Sequence, residues 1–150
     1  MAHVDKSVLV PYSAGLMYSL VDDVESYPRF LPWCGGSKVL TREPGMVVAT
    51  VAIDFHGLRQ SFTTRNTPTP GRRMDIALVD GPFRKLDGAW RFTPLGEDAC
   101  KVELTLDYEF ASRLLEKLVG PVFNHIAQTL VEAFTQRAGA LNPGLDGPGP

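Results

Sequence analysis

Cys100-Lys101-Val102-Glu103-Leu104-Thr105-Leu106-Asp107-Tyr108-Glu109-Phe110 alternates without a break. Cys100, Val102, Leu104, Leu106, Tyr108 and Phe110 fall on one side, and Lys101, Glu103, Thr105, Asp107 and Glu109 on the other. A period of two gives each set its own face, so this is a strand with one buried and one wet face. Two residues later the period changes. From Ser112, a residue suited to an N-cap, to about Leu141, the apolar positions Leu115, Val119, Val122, Ile126, Leu130 and Phe134 recur at helical spacing. Gly120-Pro121 interrupts this stripe, and a kink is expected there because an internal proline removes one hydrogen bond and crowds the preceding turn. About 30 helical residues span roughly 45 Å at 1.5 Å per residue, enough to cross a sheet from edge to edge.

The strand before this helix has companions upstream. Val4 to Val10 reads as a strand stopped by Pro11. Ser13 then caps a short helix carrying Leu16, Met17, Leu20, Val21 and Val24. Asp22, Asp23 and Glu25 come late in that helix, where its dipole disfavours them, so its last turn is expected to fray. Val47, Ala49, Val51, Ile53 and Phe55 alternate up to His56-Gly57, a tight hairpin turn. Leu58, Gln60, Phe62 and Thr64 continue on the return strand, with Arg59, Ser61, Thr63 and Arg65 opposite. Thr67-Pro68-Thr69-Pro70-Gly71 reads as a turn. Met74, Ile76 and Leu78 then alternate, Asp80-Gly81-Pro82 breaks the chain, and Leu86, Trp90 and Phe92 follow. Gly88 sits on the inward register between Leu86 and Trp90, where it either makes room or marks a bulge. The class is α+β: a curved antiparallel sheet with one long helix to cover its buried face. A sheet that curves away from a rod leaves a gap, and side chains must fill it or enclose a cavity.

Tyr27-Pro28-Arg29-Phe30-Leu31-Pro32-Trp33-Cys34 links the short helix to the first sheet strand after it. Its prolines make the connection stiff and irregular, and its large apolar side chains are costly to leave in water. It therefore covers something, either the end of a packed core or an apolar ligand cavity.

Composition limits the alternatives. One domain of 150 residues is long enough for a real core, and 44% apolar with 21% charged residues is ordinary for a globular protein. The domain is expected over residues 1–141, with the glycine- and proline-rich stretch 142–150 as a disordered tail. Cys34 and Cys100 lack metal-ligand spacing, and reduced thiols in the cytoplasm are expected. No apolar run approaches the roughly 18 residues of a membrane span, which leaves room for peripheral contact with the inner membrane face. A net charge of −2 argues against a chain dominated by nucleic-acid binding, and no DNA partner is expected. The charge is uneven, however. Arg59, Arg65, Arg72, Arg73, Arg84, Lys85 and Arg91 meet only Asp75, Asp80 and Asp87 within that span, a hint of an acidic partner or simply a solvated sheet face.

The chain resembles the coenzyme Q-binding protein and ribosome association toxin RatA group of the START-like, polyketide cyclase-like superfamily. The resemblance is carried by Val10-Pro11-Tyr12-Ser13, Met17-Tyr18, Leu20-Val21 and the run from Asp23 through Tyr27-Pro28-Arg29-Phe30-Leu31-Pro32-Trp33-Cys34. It continues in Val79-Asp80-Gly81-Pro82-Phe83, Leu86-Asp87-Gly88-Ala89-Trp90-Arg91-Phe92 and Val119-Gly120-Pro121-Val122-Phe123, and it extends to about Ala140. Gly15 departs from the pattern, since relatives usually carry a polar or acidic residue there. The resemblance implies a helix-grip fold, a seven-stranded sheet wrapped around the C-terminal helix with an apolar cavity between them. It also implies two activities: ubiquinone binding in support of respiration, or binding to the large ribosomal subunit that blocks subunit joining.

Catalysis has little to stand on in the residues. His3 is terminal, His56 sits in a turn, and His125 has Pro121 and Thr129 as helical neighbours instead of a second metal ligand. Gly35-Gly36-Ser37-Lys38 fails the phosphate-loop pattern and reads as a turn into a strand. Asp80, Tyr18 and Tyr108 are the candidate acids or bases, and no pairing among them is visible. No metal or cofactor is expected. Non-catalytic binding of a hydrophobic small molecule is the favoured reading, ubiquinone or a related polyprenyl lipid being the expected ligand. Val51, Ile53, Phe62, Ile76, Trp90, Leu104 and Leu106 are its expected sheet walls, and Val122, Ile126 and Leu130 its helix wall. Phe30, Leu31 and Trp33 beside Pro82 and Phe83 form its expected mouth. For the ribosome alternative, Arg59, Arg65, Arg73, Lys85 and Arg91 fall on the wet face, where phosphates could approach them together.

Overall fold

The computed structural model describes residues 2–142, so most of the expected 142–150 tail lies outside the described residues. Strand β1 (Ala2–Val10) begins two residues earlier than its alternation suggests, because Ala2 and His3 pair with Tyr108 and Asp107. Helix α1 (Ala14–Asp22) starts where Ser13 accepts a bond from the Leu16 amide at 3.1 Å. Asp22 lies at its unfavourable end, and Arg42 answers that charge at 3.1 Å. The expected stiff connection then holds a short 3₁₀ helix (Val24–Arg29) with Pro28 inside it.

Six strands follow, β2 (Cys34–Glu43), β3 (Met46–Phe55), β4 (Leu58–Thr69), β5 (Arg73–Asp80), β6 (Phe83–Pro94) and β7 (Cys100–Phe110). They join β1 in one antiparallel sheet of order β1-β7-β6-β5-β4-β3-β2. The sheet is curved. The β3–β4 hairpin turns at His56-Gly57, with φ of 50° and 83°, left-handed values that Gly57 adopts without strain. Three local expectations change. Thr67, Pro68 and Thr69 belong to β4, Pro68 opposing Met74, so the turn is only 70–72. Gly35 and Gly36 are not a turn but strand residues at a break in register between Cys34 and Gly36. Gly88 marks no bulge, since Asp87, Gly88 and Ala89 pair in unbroken register with Asp107, Leu106 and Thr105. It makes no cavity room either, because a Cβ there would lie 2.0 Å from the Thr105 carbonyl oxygen. The two backbones approach too closely for any side chain.

Helix α2 (Arg113–Leu141) continues through Gly120-Pro121, with the proline inside it. Ser112 caps it, accepting from the Leu115 amide at 3.1 Å. Pro121 is tolerated because it and Lys117, whose carbonyl loses its usual donor, lie on the exposed side where water can serve that carbonyl. Val119, Phe123, Ile126, Ala127, Val131, Phe134 and Ala138 are buried, facing β7, β1 and α1. Gly120 is a different matter. A Cβ there would meet Phe110 at 3.7 Å and Glu116 at 3.8 Å, ordinary contacts. Gly120→Ala is therefore expected to stabilise the fold by up to about 1 kcal/mol by removing chain entropy from the unfolded state. Thermal unfolding should show a midpoint raised by about 2–4 °C.

Candidate functional site

Between α2 and the concave face of the sheet lies a cavity of about 100 Å³. Its sheet wall comes from alternate residues of β3 to β7: Ala49, Val51, Phe62, Thr64, Asn66, Met74, Ile76, Leu86, Trp90, Leu104 and Leu106. Phe123, Ile126, Leu130 and Phe134 close it from α2, while Val21, Val24, Tyr27, Leu31 and Trp33 cover it from α1 and the 3₁₀ segment. No charged side chain is among these residues.

The covering segment is firmly tied. The Tyr27 hydroxyl donates to the Val21 carbonyl at 2.5 Å, and the Ser37 hydroxyl to the Val24 carbonyl at 2.7 Å. The Leu31 amide donates to the Tyr27 carbonyl, and the Asp54 amide to the Trp33 carbonyl. Burial of the Tyr27 hydroxyl, reinforced by Asp22 and Asp23, pushes its pKa far above the usual phenol value, so it stays a neutral donor. Leu31 is consequently 1% exposed although it sits on the irregular link between the 3₁₀ helix and β2. Aromatic rings buttress both ends of the cavity. At one end Phe134 meets Tyr27, Phe30 and Trp90 edge-on at 5.4, 5.2 and 5.2 Å, and the Arg137 guanidinium lies 5.1 Å above Phe30. At the other, Phe123 meets Phe62, Phe83 and Tyr108 at 6.0, 4.8 and 4.8 Å.

Of the expected ligand contacts, Leu31, Trp33, Val51, Phe62, Ile76, Trp90, Leu104, Leu106, Ile126 and Leu130 line the cavity. Phe30, Ile53, Pro82, Phe83 and Val122 do not. Phe30 and Phe83 stand one layer behind, edge-on to Phe134 and to Phe62 and Phe123. Ile53, opposite Cys34 and Gln60, is buried beyond the cavity toward the β3–β4 hairpin. Pro82 is buried where its carbonyl accepts from the Ala111 amide. Val122 is one helical position from Phe123, about 100° around the axis, and so turns off the cavity. Ala49, Thr64, Met74, Leu86 and Phe134 stood on inward registers or the helix stripe and could have been named from them. Asn66 continues the Phe62–Thr64 register, but an amide is not what an apolar wall suggests.

The remaining candidates lie away from the cavity. Tyr108 donates to the Asn124 side-chain carbonyl, and Tyr18 stacks edge-on to Phe92 at 6.0 Å. Asp80 ends β5, and none of the three lines the cavity. Cys34 and Cys100 are free, buried thiols whose pKa values burial pushes up. Among the described residues no group of three or more metal-binding side chains assembles, and no helix is long and apolar enough to cross a membrane.

Outside, Arg59, Arg65, Arg73, Lys85 and Arg91 do share the solvent-facing side of the sheet. Carboxylates are interleaved with them. Arg73 is bound to Asp75 at 2.7 Å, Arg59 faces Asp54 at 3.8 Å and Lys85 faces Asp87 at 3.8 Å. Arg65 and Arg91 form no ion pair among the described residues.

Residues 10–135 match the family model described as polyketide cyclase/dehydrase and lipid transport. The ribosome association toxin RatA of Escherichia coli K12 is 49% identical over 138 residues, covering 92% of this chain and 87% of that protein. The mitochondrial coenzyme Q-binding protein homolog B of Xenopus laevis is 30% identical over 140 residues, 91% of this chain and 57% of that protein. Among solved structures, the Zhui aromatase/cyclase of Streptomyces superimposes with a TM-score of 0.76 at 22% identity, covering 91% of this chain and 93% of that one. A family match over residues 10–135, a helix gripped by seven strands and a close likeness to RatA agree: this chain belongs to the polyketide cyclase/dehydrase and lipid transport family, in the group that holds ribosome association toxins and coenzyme Q-binding proteins.

Proposed function

We propose that the chain is a non-catalytic binder of a hydrophobic small molecule, a polyprenyl quinone of the ubiquinone type, held between α2 and the sheet. The observation that carries this reading is the largely apolar cavity lined by Trp33, Trp90 and aliphatic side chains with no charge among them. Aromatic rings suit a quinone head, and each buried tail methylene adds about 0.8 kcal/mol. The size sets a condition. An apolar cavity of roughly 150 Å³ takes up benzene, so about 100 Å³ is too small for a substituted quinone without wall movement. The sheet walls are held by hydrogen-bonded ladders, so entry requires release of the few hydrogen bonds that tie the 3₁₀ cover. Such a ligand resides in membranes, and loading it requires transient contact with one.

Two measurements test this. Organic extracts of the protein purified from its native host should contain a polyprenyl lipid, detected by mass spectrometry. Titration with a short-tailed ubiquinone should quench Trp33 and Trp90, both of which line the cavity. Protein that carries no lipid and binds no quinone ends the proposal.

A second reading is favoured by the 49% identity to RatA: the chain associates with the large ribosomal subunit through its outer sheet face. There Arg65 and Arg91 are available to phosphate at once, whereas Arg59, Arg73 and Lys85 must first release carboxylates. Co-sedimentation with isolated large subunits should be lost as salt rises. Sedimentation apart from the subunits at low salt removes this reading and leaves the first untouched.

A further inference from the structure

Two polar side chains interrupt the apolar wall. Thr64 and Asn66 lie on the inward face of β4 and line the cavity. Their cross-strand neighbours are apolar: Ala49 and Leu78 beside Thr64, Val47 and Ile76 beside Asn66. Thr64 is only 8% exposed, and its hydroxyl donates to Asn66 Oδ1 at 2.9 Å. That bond occupies the amide oxygen. The two N–H groups of Asn66 Nδ2 have no hydrogen-bond acceptor among the described residues. Tyr27 is the other hydroxyl at the cavity, and its proton is already committed to the Val21 carbonyl. Asn66 therefore has donors to spare, as do the indole N–H groups of Trp33 and Trp90, in a space otherwise fit for hydrocarbon.

We propose that Asn66, oriented by Thr64, is the hydrogen-bond donor that reads a carbonyl oxygen on a neutral, otherwise apolar ligand. The proposal rests on the cavity-binding reading above and names the head group that reading leaves open. Neutrality follows from the lining. A carboxylate or phosphate would lose its hydration with no Lys, Arg or His at the cavity to replace it. A quinone ring offers carbonyl acceptors without charge, so the donor matches it, while the uncharged lining rejects a fatty-acid anion.

The test compares two probes of equal tail, ubiquinone with a two-isoprene tail and geranylbenzene, on the wild type, Asn66→Leu and Thr64→Val. Asn66→Leu should weaken quinone binding about 5- to 10-fold, the worth of one hydrogen bond, while geranylbenzene affinity stays within about 2-fold. Thr64→Val, which frees the amide to rotate, should weaken the quinone less and again spare the hydrocarbon. The quinone carbonyl stretch should fall in frequency on binding to the wild type and return toward its free value in Asn66→Leu. Unchanged quinone affinity in both variants overturns the proposal, as does equal loss of both probes, the mark of a packing role alone. Palmitate binding as tightly as the quinone overturns the neutral-head part. If neither probe binds the wild type, the cavity-binding reading and this proposal fall together; if both bind and the variants are indifferent, only the role of Asn66 is lost.

Discussion

Gly88→Ala is expected to destabilise the protein by about 3 kcal/mol or more, lowering the thermal midpoint by roughly 6–12 °C. The cause lies in the β6–β7 ladder. A methyl at residue 88 would stand 2.0 Å from the Thr105 carbonyl oxygen and 2.9 Å from Leu106 Cα. Both are backbone atoms of β7, which is paired on its other side with β1 and so has nowhere to retreat. A flexible side-chain tip could move; a strand in the middle of a ladder moves only by breaking hydrogen bonds. The damage reaches the cavity, because Leu106 faces Gly88 across the ladder and Ile76 faces it on β5, and both line the wall. Gly15→Ala is the control. A Cβ at that position meets nothing within 4 Å, in the first turn of α1, so alanine there should leave stability unchanged or raise it by up to about 1 kcal/mol. Thermal unfolding of the two variants side by side decides the matter. A Gly88→Ala midpoint within 2 °C of the wild type would contradict the close approach.

The same glycine shows where pattern reading runs out. Alternation placed Leu86, Gly88 and Trp90 on one face, and that register is observed. The reason for glycine is a distance between two backbones, which no period records. The α2 stripe was legible for a similar reason and to a similar limit. Ile126, Leu130 and Phe134 face the cavity as their spacing implies, but Val122 was preferred to Phe123, and a single step around a helix turns a side chain by about 100°. The aromatic mouth divided along the same line. Leu31 and Trp33 reach the cavity, whereas Phe30 and Phe83 support Phe134, Phe62 and Phe123 from behind. Composition says that large rings must be buried; only packing says in which layer. Pro121 lies on the wet side of α2, which lets the helix continue past it.

Ala49→Leu is expected to abolish ligand binding, weakening it at least 100-fold, while leaving the fold intact or firmer. Ala49 is 2% exposed, points into the cavity from β3, and sits opposite Thr64. An empty cavity of about 100 Å³ costs roughly 2 kcal/mol at about 24 cal/mol per Å³. Leucine adds three carbon atoms to that space, worth roughly 2 kcal/mol of apolar burial before strain. Imperfect fit takes back part of the gain, so a rise of about 1 kcal/mol in stability is the expected net. Most substitutions that abolish binding also weaken the fold, and this one separates the two effects. It separates the two proposed activities as well. The outer face of β4, with Arg59 and Arg65, lies on the opposite side of the sheet from Ala49. If ribosome association uses that face alone, the variant should bind large subunits as the wild type does while no longer taking up quinone. If an occupied cavity is needed to shape the outer face, both activities should disappear together. Quinone titration, co-sedimentation and thermal unfolding on this one variant distinguish these outcomes, and undiminished quinone affinity would mean that the ligand lies elsewhere than between α2 and the sheet.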